Sequence, residues 1–363
     1  MASIKVFLLH AGMSETGVSG MEIAMRGIGY QVGGGKELNA DAAVRLGLDR
    51  DWLVQRTGIR ARRMCAEGED ASTLAADALG KALRSAGLEA DRLGQETVLV
   101  HIENGFVNLA PPAAVALAAR TGLTDVRVLG VDGVCSEPMT VLDLASSLFE
   151  TGRADRVVLS AAFDYERVLD PTDAGTVGLF GAGACAVVLE PAAADDPRRF
   201  TLLGTAWRTD AQGAGLGVIP VRRLHRDARG VHIDAGFYAM DGQGLTRIGL
   251  RAVPLVYQDV LRRAAWRPDG FDLVIAHQPN VKLLEILMRK LEIPMRMVPT
   301  PVEELGNMGP ASLLINLAIA MEKGLIKNGT KVMLLAFGLG FSCGAAAIEF
   351  HSDFSLRQGS AGK

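Results

Sequence analysis

Residues 126–150 read VRVLGVDGVCSEPMTVLDLASSLFE, and the fold follows from how that stretch is parsed. A β-branched run, VRVLGV, meets a tight Asp132-Gly133 turn. Cys135 follows, and Leu142, Leu144, Leu148 and Phe149 then fall on one helical face. The cysteine is therefore expected where a buried strand hands over to a helix. Unpaired N–H groups and the positive end of the helix dipole at such a junction favour a thiolate, which makes Cys135 a candidate nucleophile. Pro138 suits the first helical turn, where its missing N–H is not needed. Taken alone, a cysteine in a chain of 363 residues is more often a small buried hydrophobe. The surrounding pattern decides between the two.

On both sides of this unit, apolar strands alternate with helices. ETVLVHIEN reads as a strand, Pro111-Pro112 as a loop and AAVALAARTGL as a helix before the cysteine unit; RADRVVLSAAFD and FGAGACAVVLEP read as strands after it. Upstream, AMRGIGYQV is a strand, ADAAVRLGL a helix after Asn39, and STLAADALGKALRSAGL a helix capped by Ser72 and ended by Gly87. A second pass supplies the strand FTLLGTAWRTD, a polar excursion over 208–244 expected to border a substrate tunnel, and the helix TRIGLRAVPLVYQDVLRRAAW. DLVIAHQPN, the helix VKLLEILMRKL, the turn region around GNMGPAS, the helix LLINLAIAMEKGLI and a closing hairpin complete it. This alternation predicts an α/β fold with a sheet covered on both faces. The segments FGAGACAVVLE and FGLGFSCGAAAIE echo each other and predict two pseudo-repeated halves, 22–190 and 191–351, after an N-terminal extension 1–21 and before a frayed tail 352–363.

Composition bounds the function. Hydrophobic residues make up 49% and charged ones 22% of the chain, enough for a large core, and the net charge of -3 gives no global attraction to nucleic acid or a membrane. Cys65, Cys135, Cys185 and Cys343 show no CxxC spacing, so neither a metal site nor a disulfide framework is expected. The opening MASIKVFLLHAGMSETG has an apolar run broken by His10, and the expectation is a cytoplasmic protein.

His277 ends the strand LVIAH, and Asn307 lies in the glycine-rich turn GNMGPAS before a helix. In open α/β sheets the carboxyl ends of strands gather the chemistry. With Cys135 as nucleophile, His277 and Asn307 are placed to stabilise an enolate or oxyanion, and N–H groups of the Phe337–Gly340 loop to form a second oxyanion site.

Over about residues 22 to 350 the chain resembles β-ketoacyl-acyl carrier protein synthase III, a condensing enzyme of the thiolase superfamily. The resemblance is carried by DWLVQRTGIRARR, the Cys135 unit, DPTDAGT with FGAGACAVVLE, AHQPN, GNMGPAS and AFGLGF. It implies a thiolase fold, two α/β halves in a layered αβαβα arrangement, and a homodimer. It also implies an acyl-Cys135 intermediate, with His277 and Asn307 stabilising the enolate of a decarboxylating malonyl thioester. The oxyanion hole would join the Cys135 amide to the loop Gly338, Leu339 and Gly340. No permanently bound cofactor is implied; acyl-coenzyme A or acyl carrier protein phosphopantetheine thioesters are the substrates. Trp52, Arg56, Thr57 and Asn280 match coenzyme A and pantetheine contacts, and Lys282, Arg289 and Lys290 match positions that dock the acidic carrier protein.

Three positions depart from the family pattern. Ala174 stands where relatives using acetyl-coenzyme A carry an adenine-stacking arginine. Glu137 follows the nucleophile in place of a small residue, and is expected to modulate the thiol. Pro111 replaces the glutamate base of head-to-head condensing enzymes, which leaves Glu137 or Glu103 to substitute. The departures point to a specialised polyketide or fatty-acid-derived pathway. Acyl transfer to oxygen or nitrogen, head-to-head condensation, and a non-catalytic partner subunit stand as alternatives.

Overall fold

A computed structural model describes residues 12–13, 19–104 and 110–354. The expectations for most of the 1–21 extension and for the tail beyond 354 lie outside the described residues.

The first half contributes β1 (Ser19–Val32), α1 (Ala71–Ala86), β2 (Thr97–Asn104), α2 (Ala113–Thr121), β3 (Arg127–Val131), α3 (Glu137–Glu150), β4 (Arg156–Phe163) and β5 (Gly183–Pro191). The second contributes β6 (Arg199–Thr209), a hairpin of β7 (Val221–Asp227) and β8 (Gly230–Ala235), and α4 (Gly242–Arg263). It continues with β9 (Leu273–Ala276), α5 (Val281–Lys290), α6 (Ala311–Glu322), β10 (Lys331–Gly338) and β11 (Ser342–Phe350).

The strands run β9-β10-β11-β6-β1-β5-β4-β2-β3. Each half repeats one motif: a parallel pair, β2 with β4 or β9 with β10, whose inner member pairs antiparallel with the strand after the glycine-bearing turn, β5 or β11. The halves meet where Met21–Ala24 of β1 pairs with Leu202–Arg199 of β6. Helices α1 and α2 cover the outer face of the first half, and α4 that of the second. Between them, α3 and α6 each touch strands of both halves, giving the αβαβα stack of a thiolase fold.

The middle layer explains the two central helices. α6 is buried along almost its whole length, from Ala311 through Leu317 and Ala318 to Met321, as its nearly unbroken apolar sequence requires. Its two buried polar residues are satisfied: Asn316 Nδ2 donates to the Ala276 carbonyl at 3.0 Å, and the Ser312 hydroxyl accepts from the Met308 N–H at 2.9 Å.

Two expectations are corrected. α1 is capped by Asp70, not Ser72: the Asp70 carboxylate accepts from Thr73 N–H at 2.9 Å, and the Thr73 hydroxyl accepts from Asp70 N–H at 2.8 Å. Ser72 instead donates to Asp70. β3 is not buried. It is the last strand of the sheet, pairs only with β2 among the described residues, and leaves Leu129 42% exposed. The apolar run that suggested burial is an edge.

Candidate active site

Cys135 sits just before α3, with Ser136 at the helix N-cap and Pro138 in the first turn. The residue is part-buried, and desolvation pushes its thiol pKa up to about 12. The resting sulfur is therefore protonated, and the helix terminus does not by itself yield a thiolate.

Strand β10 brings its carboxyl end against this cysteine. A Cβ at Gly338 would lie 2.9 Å from Cys135 Cβ and 3.1 Å from Cys135 N. Only a residue without a side chain lets the loop amides come this close to the thiol. One residue earlier, the Phe337 ring meets the His277 imidazole edge to face, centroids 5.6 Å apart. His277 is fixed by its N–H to the Leu335 carbonyl at 2.8 Å, and by the Asn316 bond to the preceding residue.

Asn307 is held from both sides of its backbone: its N–H donates to the Leu179 carbonyl at 2.8 Å, and its carbonyl accepts from Gly181 N–H at 2.9 Å. Its Oδ1 accepts from the Gly309 N–H at 2.9 Å, which directs the amide's NH2 away from that bond as a donor. The Gly309 backbone also faces the His277 ring and favours its protonated form. Gly309 has φ of +50, and a Cβ there would lie 2.2 Å from the Phe163 ring, so the turn joining the two side chains needs glycine. A continuous path thus runs from Cys135 through Gly338, Phe337, His277 and Gly309 to Asn307.

Burial holds the His277 imidazole neutral, its pKa down to about 3, and its Nδ1 is enclosed without a hydrogen-bond partner. A neutral thiol, a neutral imidazole and a carboxamide donor in a water-poor site suit stabilisation of an oxyanion rather than general acid chemistry from a charged histidine.

Glu137 turns back over Gly133 and bonds Thr140; burial raises its carboxyl pKa. The upward shift of Cys135 has burial as its cause, without a contribution from Glu137. Of the positions expected to contact coenzyme A, Arg56 has its guanidinium stacked 4.8 Å over the Trp52 ring. The Thr57 hydroxyl is committed, donating to the Leu53 carbonyl and accepting from Ile59 N–H. Asn280 caps α5 through Leu283 N–H at 2.8 Å. The helix carrying Trp52 abuts α5, because Gly58 packs on Val281. Lys282, Arg289 and Lys290 are exposed on α5, Lys282 beside Glu285 at 3.5 Å. Glu103 is bonded to the buried His101 at 3.0 Å.

Several residues at the site were not singled out from the sequence. The buried Arg62 guanidinium donates to the Phe180 carbonyl at 3.3 Å and to Asn39 Oδ1 at 2.8 Å, and pairs with Glu37. Phe180 is the residue bridged to Asn307, so Arg62 braces it from behind. Gln278 ties the loop after His277 to Pro299 and Val302. Arg62 falls inside the quoted motif TGIRARR and Gln278 inside AHQPN, a usable signal in both cases. The 208–244 excursion does border the site: Ile219, Tyr238 and Met240 join the aromatic cluster beside it, while β7 and β8 project outward, exposed.

Comparison with known proteins follows this geometry. Residues 130–211 match the family 3-oxoacyl-[acyl-carrier-protein (ACP)] synthase III, and residues 261–350 its C-terminal domain. The β-ketoacyl-[acyl-carrier-protein] synthase III of Rhizorhabdus wittichii is 32% identical over 324 residues, covering 86% of this chain and 94% of the relative. A Streptomyces coelicolor β-ketoacyl-[acyl-carrier-protein] synthase III is 31% identical over 86% of this chain and 92% of its own. The crystal structure of 3-oxoacyl-[acyl-carrier-protein] synthase III from Aquifex aeolicus superposes with a TM-score of 0.78 at 28% identity, covering 90% of this chain and 99% of that one.

Proposed function

The chain belongs to the β-ketoacyl-acyl carrier protein synthase III family of thiolase-fold condensing enzymes, acyltransferases that join thioesters by Claisen chemistry, and from that premise we propose the roles of its residues. Cys135 takes the acyl group of a coenzyme A or carrier-protein thioester, its sulfur forming the new C–S bond as the donor thiol leaves. A malonyl-type thioester then binds with its carbonyl oxygen toward His277 and Asn307. The bond to the carboxylate breaks, carbon dioxide departs, and the electron pair is held as an enolate under those two donors. The carbanion attacks the acyl-cysteine carbonyl, whose oxygen faces the amides of Cys135 and the Gly338–Gly340 loop. Collapse releases the cysteine sulfur and a β-ketoacyl thioester. No permanent cofactor takes part.

The observation that carries this reading is the unbroken path from Cys135 to Asn307 through Gly338, Phe337, His277 and Gly309. Cys135→Ala and Asn307→Ala test it separately: the first should abolish acyl-enzyme formation, the second should leave it intact and stop carbon dioxide release. Loss of neither would refute the assignment.

The pathway is a specialised one, supported by Ala174 at the position of the family's adenine-stacking arginine and by Pro111 in place of a glutamate base. The carrier protein docks on the α5 face of Lys282, Arg289 and Lys290. Two copies associate through the open edge of β3 as a cytoplasmic homodimer, supported by exposed Leu129 on an edge strand.

A further inference from the structure

Four buried rings, Phe163, Tyr165, Phe180 and Tyr238, form a contiguous box. Phe163 stacks on Tyr165 with centroids 4.4 Å apart and planes 24° from parallel. Tyr238 stands edge-on to Tyr165 at 5.5 Å and 63°, and to Phe180 at 5.6 Å and 83°.

The Asn307 turn and the Gly338–Gly340 loop both touch this box. Phe180 bridges to Asn307, and Phe163 lies against Gly309. Leu339, between the two loop glycines, packs on the box and meets the Tyr238 hydroxyl over Gly217: a Cβ at Gly217 would lie 2.3 Å from Leu339 Cδ2 and 3.1 Å from Tyr238 Oη. Burial raises the pKa of both tyrosines, and the nearby Cys135 sulfur adds to the rise. Gly338 touches Cys135 and its neighbour Leu339 packs on the box, so the rings lie beside the nucleophile.

We infer that the box is the acyl-recognition wall, with Tyr165 and Tyr238 admitting a flat aromatic or conjugated acyl group and excluding a long saturated chain. The inference rests on the acyl-Cys135 reading above. A flexible alkyl chain needs an open tube with yielding aliphatic walls. Here the walls are rigid rings packed edge to face, each with only two rotatable torsions. Making room for a chain means breaking several ring contacts, whereas a planar group needs only the thickness of one more ring and gains edge-to-face contacts of its own. Close-packed interiors resist the first change more than the second.

The test is the rate of adduct formation, by intact-protein mass spectrometry, with coenzyme A thioesters of acetate, benzoate, cyclohexanecarboxylate and octanoate. Benzoate and cyclohexanecarboxylate have the same ring size and differ in flatness; octanoate probes length. Benzoyl loading at least tenfold faster than cyclohexanecarbonyl and octanoyl is expected. Tyr238→Ala should raise octanoyl loading at least tenfold and slow benzoyl; Tyr238→Leu should shift both rates in the same directions if the alanine variant does not fold. Octanoyl or cyclohexanecarbonyl loading as fast as benzoyl in the unaltered protein overturns the inference while leaving the acyl-enzyme intact. Absence of any adduct, acetyl included, both from these thioesters and from the same acyl groups carried on acyl carrier protein overturns the acyl-enzyme reading and the inference with it.

Discussion

The Cβ that Gly338 lacks would sit 2.9 Å from the Cβ of Cys135, closer than two such carbons pack, so the Gly338–Gly340 loop and Cys135 are in contact only because position 338 has no side chain. Gly338→Ala should push the loop amides off the reacting carbonyl. Loss of an oxyanion donor costs about 100- to 1,000-fold in rate. The expected result is a loss of that order in acylation of Cys135, with little change in thermal midpoint; wild-type acylation would show that the loop is not the oxyanion site.

His277 ties stability to pH. Its folded-state pKa of about 3 lies below the ordinary 6.5, so the unfolded chain binds the extra proton as pH falls. Its neutral form costs nothing above pH 6.5, and stability is lost progressively from there down toward pH 3. At pH 5 the deficit is about 2 kcal/mol, at roughly 1.4 kcal/mol per pKa unit. Denaturant unfolding of wild type and His277→Gln at pH 7 and pH 5 should show wild type losing about that much more; parallel losses would contradict it.

Arg62 is expected to act through Phe180 on Asn307. Arg62→Met leaves Glu37 paired with Arg45 but strands the Asn39 Oδ1 and Phe180 carbonyl acceptors, and should cost about 2 kcal/mol of stability. Arg62→Lys keeps the charge but not the fork that reaches both Asn39 and Phe180. It should fold, acylate Cys135 normally, and release carbon dioxide about tenfold more slowly. Equal slowing of both steps would assign Arg62 a purely structural part.

The edge strand β3 carries the assembly prediction. Leu129→Lys on each of two symmetry-related strands sets like charges close together and should convert a dimer into monomers in sedimentation velocity. An unaltered dimer would place the interface elsewhere.

Much of this was legible in the sequence, for identifiable reasons. The strand-turn-helix around Cys135, the all-apolar α6 and the two glycine-bearing segments before β5 and β11 are short-range patterns that period and turn chemistry reveal. Position within a sheet is not short-range, so VRVLGV read as buried when it is an edge. The α1 cap was displaced because Asp70, Ser72 and Thr73 all suit a cap, and only the reciprocal Asp70–Thr73 bonds choose among them. The thiol's environment depends on what encloses it: the helix terminus argued for a thiolate, and burial outweighs it. Tyr165 and Tyr238 come from segments 73 residues apart by their numbering, which no local pattern joins.

The central claim is that an acyl group on Cys135 is consumed by a carbanion generated under His277 and Asn307. Isolated acyl-enzyme, mixed with a malonyl thioester and followed by mass spectrometry with trapping of labelled carbon dioxide, measures it directly. The account predicts that the Cys135 adduct disappears as carbon dioxide and β-ketoacyl thioester form one for one. An adduct that persists while carbon dioxide is released, or that discharges to an alcohol or amine without it, would contradict the account.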